Sequence, residues 1–170
     1  MIVALHELAD IRARHPGKQI LLTSGTYDLL HVGHVRYLVS IKAADCVLVV
    51  MLSNDNRTSI RKGPARPVIP EADRAEMLDA LSIVDYVFID PSHLPPYHTD
   101  PIYAEVLARL RPDAYITYCE DGRFTAFMDK SKLVKVPRAK PYPSTTAIIE
   151  HIIDSAHQAA SSSPSGAGEI

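Results

Sequence analysis

The stretch QILLTSGTYDLLHVGH, residues 19–34, joins an apolar run to a glycine, an aspartate and two histidines. Its first seven residues contain the short apolar run ILL and end at Gly25, which predicts a short buried strand. The residues from about position 32 onward suit a helix. His31 and His34 therefore fall where a strand gives way to a helix, and a hydrophobic core has no need of two imidazoles there.

Apolar strands and amphipathic helices alternate along the rest of the chain. Besides the run at 19–25, strands are predicted at residues 46–52, 85–90, 113–119 and 132–137. Helices are predicted near the N-terminus from residue 5 and at residues 35–44, 71–84, 102–112 and 144–160. This alternation predicts an α/β fold, a Rossmann-like parallel sheet of about five strands with helices on both faces.

The two histidines are predicted to act on a phosphate group. A sheet of this kind binds ligands at the carboxyl ends of its strands, where the strand order reverses, and His31 and His34 lie at that edge. The N-terminus of the following helix favours an anion there. Residues three apart point to one side, so both rings can direct N–H donors at one phosphate. A helix cap and a packed core histidine are the alternative roles.

The polar stretch SNDNRTSIRKGPARPVIP, residues 53–70, is basic and rich in proline, which predicts a loop. Lys62 stands beside a glycine there, and a lysine on such a loop can reach the oxygens of a triphosphate. The neighbouring Arg57, Arg61 and Arg66 are interpreted as charges on a solvated loop.

Length, charge and composition limit the other possibilities. We expect one domain over residues 1–157 and a disordered tail over residues 158–170, where the sequence is small, polar and of low complexity. The 18 basic and 20 acidic residues give a net charge of −2, which offers no general attraction to nucleic acid or to an anionic membrane. No run approaches the ~18 apolar residues of a membrane span, and no signal peptide or cysteine framework is evident, which favours the cytoplasm.

GTYDLLHVGH resembles the signature of the cytidylyltransferase-like nucleotidyltransferases, which combine a glycine, an aromatic-Asp pair and His-x-Gly-His. The start of the chain and RKGPARPVIPEADRAEMLDALSIVDYVF are similar to the nucleotidyl-transfer domain of ADP-heptose synthase. STTAIIEHI resembles the closing motif that this domain shares with glycerol-3-phosphate cytidylyltransferase. The resemblance covers most of residues 5–155, and it identifies residues 1–157 as a nucleotidyltransferase domain.

The resemblance implies a reaction. A phosphate oxygen of a small phosphorylated acceptor, such as a sugar or polyol phosphate, attacks the α-phosphate of a nucleoside triphosphate, and pyrophosphate leaves. The catalytic residues it implies are His31, His34 and Lys62. It also implies Mg²⁺ bound with the triphosphate and a homodimer. The residues it places around the nucleotide are Gly25, Thr26, Tyr27, Asp28, Gly33, Arg74, Tyr118, Glu120, Arg138, Ser144, Thr145 and Thr146.

Several of these residues have a second interpretation. Asp28 can hold its loop by accepting backbone N–H bonds, which we favour, or lie near the metal. Arg74 can contact the nucleotide or carry a surface charge on a helix. Ser144 and the two threonines after it suit a helix N-cap, and the same cap can bind triphosphate oxygens.

The chain departs from the family pattern where the base is read. TYCEDGR, residues 117–123, replaces a glycine-containing element, and prolines precede the Ser-Thr-Thr motif in RAKPYPSTT. The longer resemblance favours ATP, whereas SGTYD leans toward CTP. Two alternatives stay open: an FMN adenylyltransferase, and a catalytically idle protein that binds nucleotide for regulation.

Overall fold

A computed structural model of the chain describes residues 1–93, 100–118, 124, 126–137 and 144–162. Its central sheet consists of five parallel strands in the order β3-β2-β1-β4-β5 within the described residues. The strands are β1 Gln19–Gly25, β2 Cys46–Leu52, β3 Tyr86–Ile89, β4 Ala114–Thr117 and β5 Leu133–Lys135. The strand order reverses between β1 and β4, so the predicted binding edge lies at their carboxyl ends.

Helices cover both faces of the sheet, as predicted. The helices are α1 Leu8–Arg14, α2 Val32–Ile41, α3 Asp55–Lys62, α4 Glu71–Asp79, α5 Ile102–Leu110 and α6 Thr145–Ser162. On one face, α1 and α5 pack against the sheet through Leu8, Ile11, Tyr103, Val106 and Leu110. On the other face, α2 and α4 pack through Leu38, Ile41, Ala75 and Leu78. All seven residues of β2 are buried, which explains why its sequence is apolar throughout rather than alternating.

Helix α3 corrects one prediction, because residues 53–70 were expected to form a loop. Asn54 caps the helix by accepting the N–H of Arg57 at 2.7 Å. The Asn54 amide also donates to the carbonyls of Asp90 and Ser92, which follow β3. Gly63, with a φ of 96°, ends the helix. The proline-rich residues that suggested a loop all lie beyond this end.

Helix α6 continues to Ser162, so the predicted domain boundary at residue 157 falls inside a helix. Residues 163–170 of the predicted tail lie outside the described residues. No helix in the described part of the chain is long and apolar enough to cross a membrane.

Candidate active site

The loop between β1 and α2 has a tightly constrained shape. Tyr27 and Leu29 have φ values of 51° and 47°, in the left-handed region that side chains disfavour. The buried Tyr27 ring packs against Gly25, where an added Cβ would lie 2.6 Å from a ring carbon. Gly25 is therefore needed to seat this ring. Strain of this kind persists only where the surroundings hold it, and it concentrates at functional sites.

Asp28 holds the loop by accepting hydrogen bonds, which is the structural role that we favoured from the sequence. Its buried carboxylate accepts the backbone N–H groups of Val68 and Ile69 and the Nε–H of Arg66 at 2.7–3.1 Å. Burial by itself would raise the pKa of Asp28, but these donors outweigh it and the pKa lies below its ordinary value. Asp28 is therefore an anion that fastens the signature loop to residues 66–69.

Arg74 supports the same loop from inside the protein. Its side chain is fully buried and donates to the carbonyls of Thr26, Ser53 and Ile69 and to the carboxylate of Asp55. The interpretation of Arg74 as a surface charge is therefore wrong. A guanidinium with these partners orders the backbone of the signature loop, and its contact with nucleotide stays a prediction.

The two histidines meet at the start of α2. His31 is the N-cap residue, and its Nδ1 accepts the N–H of Gly33 at 3.1 Å. An accepting Nδ1 carries no proton, so the neutral ring of His31 has its proton on Nε2. The ring of His34 stacks on that of His31, with centroids 3.9 Å apart and planes at 22°. The structure thus combines the cap role with a pair of adjacent imidazoles at the reversal of strand order.

Lys62 is the last residue of helix α3. It is close enough to Asp28 and Arg66 for their charges to affect its pKa. Partial desolvation of the ammonium group is the main cause that lowers the pKa of Lys62, and the charges of Arg66 and Arg61 lower it further. A lysine in such a cationic setting gains from a bound anion.

The interpretation of all three arginines as solvated charges is wrong for two of them. Arg57 is buried, where its Nη1 donates to the Tyr103 hydroxyl at 2.8 Å and its Nε lies 3.6 Å from the carboxylate of Asp90. The mostly buried Arg66 pairs with Asp28. Arg61 is exposed, as expected. The pair of Arg57 and Asp90 fixes the first turn of α3, the helix that ends at Lys62.

The start of α6 joins the site from the far end of the chain. The Ser144 hydroxyl accepts the N–H of Ala147 at 3.1 Å, which is the predicted cap. Thr145 is buried and its hydroxyl donates to the carbonyl of Asp28 at 2.8 Å. Thr146 is exposed in the first turn. The N-terminal dipole of this long helix therefore lies beside the signature loop, where it favours an anion.

Aromatic residues form the other end of the site, beyond β4. The Tyr118 side chain is 48% exposed, and its ring meets the edge of Tyr37 with centroids 5.8 Å apart and planes at 87°. Burial raises the pKa of Tyr27 well above its ordinary value, and the nearby Tyr37 and Tyr118 raise it further. Glu120 and Arg138, the remaining predicted contacts, lie outside the described residues.

No protein cage for a metal is present among the residues that the structure describes, since no three His, Cys, Asp or Glu side chains converge. The oxygens of Asp28 already accept Arg66 and two backbone N–H groups, which leaves this carboxylate poorly suited to hold a cation. Mg²⁺ that arrives with a triphosphate would therefore be held chiefly by the phosphates, and its presence stays a prediction.

Residues 22–163 match the cytidylyltransferase-like family. The chain belongs to that family. The resemblance drawn from GTYDLLHVGH is thereby confirmed, and so is the predicted enzyme class, a nucleotidyltransferase.

Relatives of this cytidylyltransferase-like chain include proteins named bifunctional protein HldE. The protein from Syntrophotalea carbinolica is 32% identical over 151 residues, which cover 89% of this chain and 30% of the relative. The protein from Sulfurimonas denitrificans is 36% identical over 150 residues, which cover 86% of this chain and 29% of the relative. The chain thus spans less than a third of the length of these relatives.

Two solved structures share the fold of the cytidylyltransferase-like chain. The lipopolysaccharide core biosynthesis protein from Thermoplasma volcanium GSS1 has a TM-score of 0.53 at 23% identity, over 75% of this chain and 100% of that one. The pantoate-beta-alanine ligase from Francisella tularensis has a TM-score of 0.55 at 16% identity, over 84% and 68%. At these identities the likeness concerns the fold.

Three residues that shape the site of this cytidylyltransferase-like chain were not predicted from the sequence. Asn54 was identifiable, because an asparagine before an aspartate and a later pair of basic residues is a helix signal. Tyr37 was identifiable from its spacing of three residues from His34 on one helix. Arg66 gave no local signal, since its pairing with Asp28 spans 38 residues of chain.

Proposed function

We propose that the chain transfers a nucleoside monophosphate from a nucleoside triphosphate, with ATP preferred over CTP, to a small phosphorylated acceptor such as a sugar or polyol phosphate. Pyrophosphate is the second product. The observation that carries the proposal is the stacked pair of His31 and His34 at the N-terminus of α2, beside the reversal of strand order.

In the proposed reaction, a phosphate oxygen of the acceptor attacks the α-phosphorus while the bond to the β-phosphate oxygen breaks. No covalent enzyme intermediate forms. Negative charge builds on the α-phosphate oxygens, and the Nε2–H of His31 and the ring of His34 are the donors that stabilise it. Lys62 and the N-terminus of α6 neutralise the phosphates of the leaving pyrophosphate. When bound with the triphosphate, Mg²⁺ supplies further positive charge.

The constrained loop supports this assignment, because fixed donors are worth most at a transition state. Asp28 and Arg74 bind the loop from inside, and Thr145 binds it from α6. The donors are therefore in place before substrate arrives. The preference for ATP rests on the long resemblance to ADP-heptose synthase. Tyr118 offers a stacking surface that suits either base, so local chemistry does not choose between them.

The test is pyrophosphate release by the purified chain with each of ATP, CTP, GTP and UTP against a panel of sugar phosphates, polyol phosphates and FMN. We expect turnover with ATP and a sugar or polyol phosphate, and its loss in a His31→Ala/His34→Ala double variant. Turnover only with FMN would favour the adenylyltransferase alternative. Binding of a triphosphate without turnover across the panel would favour the idle protein, and faster turnover with CTP would contradict the preference for ATP.

A further inference from the structure

Tyr37 lies on the helix that carries the catalytic pair. It follows His34 by three residues, so both side chains lie on one side of α2, about one turn apart. Its ring meets Tyr118, which follows β4, in an edge-to-face arrangement at 5.8 Å. Tyr37 therefore links the helix of the phosphate-binding histidines to the aromatic end of the site.

Two oxygens fix the position of the Tyr37 ring. Its hydroxyl lies 2.8 Å from the hydroxyl of Thr23 on β1 and 3.2 Å from the carbonyl of Ile116 on β4. The Thr23 hydroxyl donates to the same carbonyl at 2.9 Å. Thr23 and Ile116 are register partners across the β1–β4 pair, where the strand order reverses. The ring is thus tied to the β1–β4 pair at the binding edge.

We infer that Tyr37 is a positioning residue, which holds the Tyr118 ring as a stacking surface for the nucleotide base at a fixed place relative to His31 and His34. The inference rests on the proposed function and assigns a residue to its base-binding side. Tyr37 does not contact the reacting atoms. It acts through Tyr118.

The physical reason is preorganisation. A half-exposed tyrosine ring that rotates freely must be ordered when a base stacks on it, and this ordering weakens binding. An edge-to-face contact with a ring that is itself anchored removes part of that cost. Stacking on Tyr118 is expected to change nucleotide affinity by about ten-fold or more, and the contact with Tyr37 by roughly two- to ten-fold.

The experiment compares two probes that differ only in having a nucleoside. Binding of ATP and of inorganic tripolyphosphate, both with Mg²⁺, is measured by calorimetry for the unaltered chain and for Tyr37→Leu, Tyr118→Leu and the double variant. We expect Tyr37→Leu to weaken ATP binding two- to ten-fold and to leave tripolyphosphate binding unchanged. The double variant should bind ATP no more weakly than Tyr118→Leu alone, because Tyr37 acts through that ring. Lys62→Ala is the matched control, and it should weaken both probes.

Three results would overturn the inference. These are equal losses for both probes in Tyr37→Leu, unchanged ATP binding, and additive effects of the two leucine substitutions. If Tyr37→Leu does not fold, Tyr37→Phe replaces it in the double-mutant cycle with Tyr118→Leu. The phenylalanine ring is released from Thr23 and Ile116, so this variant should also weaken the binding of ATP but not that of tripolyphosphate. Failure of the unaltered chain to bind any triphosphate overturns the proposed function and the inference together. Normal turnover of the unaltered chain, together with any of the three binding results named above, overturns the inference and leaves the proposed function standing.

Discussion

Replacing Asp28 by asparagine removes a carboxylate that fastens the signature loop to residues 66–69. One carboxylate oxygen accepts Val68 N at 3.0 Å and Ile69 N at 3.1 Å, and the amide oxygen of asparagine can keep both bonds. The other oxygen accepts Nε–H of Arg66 at 2.7 Å and shares the N–H of Val68 at 3.1 Å. In the variant an amide N–H₂ group faces that donor, and the mostly buried guanidinium loses its counter-charge.

The expected cost is about 3–5 kcal/mol in the free energy of unfolding, the range for breaking a buried ion pair from one side. That is a large share of the 5–15 kcal/mol that is typical of a domain. Urea denaturation of Asp28→Asn and of the unaltered chain measures the difference. Asp10→Asn is the matched control, because Asp10 and Arg14 form an exposed pair at 3.9 Å, and its effect should stay within about 0.5 kcal/mol.

The same comparison has a pH dependence. The pKa of Asp28 is lowered in the folded chain, so its contribution is present above the ordinary aspartate value of about 4 and is lost as the pH falls through the lowered value. The stability gap between the unaltered chain and Asp28→Asn should therefore narrow below about pH 4. A gap under about 1 kcal/mol at pH 7, or one that widens in acid, would refute this account of the loop.

Other substitutions test the remaining parts of the site. His31→Ala and His34→Ala should each lower the turnover number about 100- to 1,000-fold while the protein stays folded. His31→Ala should also lower the melting temperature slightly, because it removes the N-cap of α2. His151→Ala on the exposed part of α6 should leave turnover unchanged. If either variant kept near-normal turnover, the catalytic role assigned to that histidine would be wrong. Lys62→Ala should weaken tripolyphosphate binding by about ten-fold or more. The pKa of Lys62 is lowered in the free chain, so anion binding at alkaline pH should be accompanied by proton uptake. Calorimetry in buffers of different ionisation enthalpy detects this uptake. The Lys62→Ala variant should not show it. Gly25→Ala should destabilise the chain by about 1–3 kcal/mol in urea, since its Cβ collides with a buried tyrosine ring, and unchanged stability would show that the ring has room to move.

Short-range patterns were sufficient for most of the fold. The apolar runs at residues 19–25 and 46–52 became β1 and β2 with the predicted ends. A strand that is buried on both faces is apolar throughout, and a helix that covers a sheet has an apolar residue every three to four positions. Both patterns involve residues close together in the chain, so the sequence shows them directly. Helix α3 is the exception to this agreement. It lacks an apolar stripe, and buried polar contacts of Arg57 and Asn54 hold it in place instead.

The site divides in the same way. The sequence by itself determined that His31 and His34 stand at the start of a helix after the first strand, because strand, glycine and helix are adjacent in the chain. Only the tertiary structure decided what surrounds them. The pairing of Asp28 with Arg66, the bond from Thr145 to the signature loop and the contact of Tyr37 with Tyr118 join residues 38, 117 and 81 positions apart. No local pattern encodes such contacts, since they arise when the parallel sheet brings the ends of its strands together at one edge.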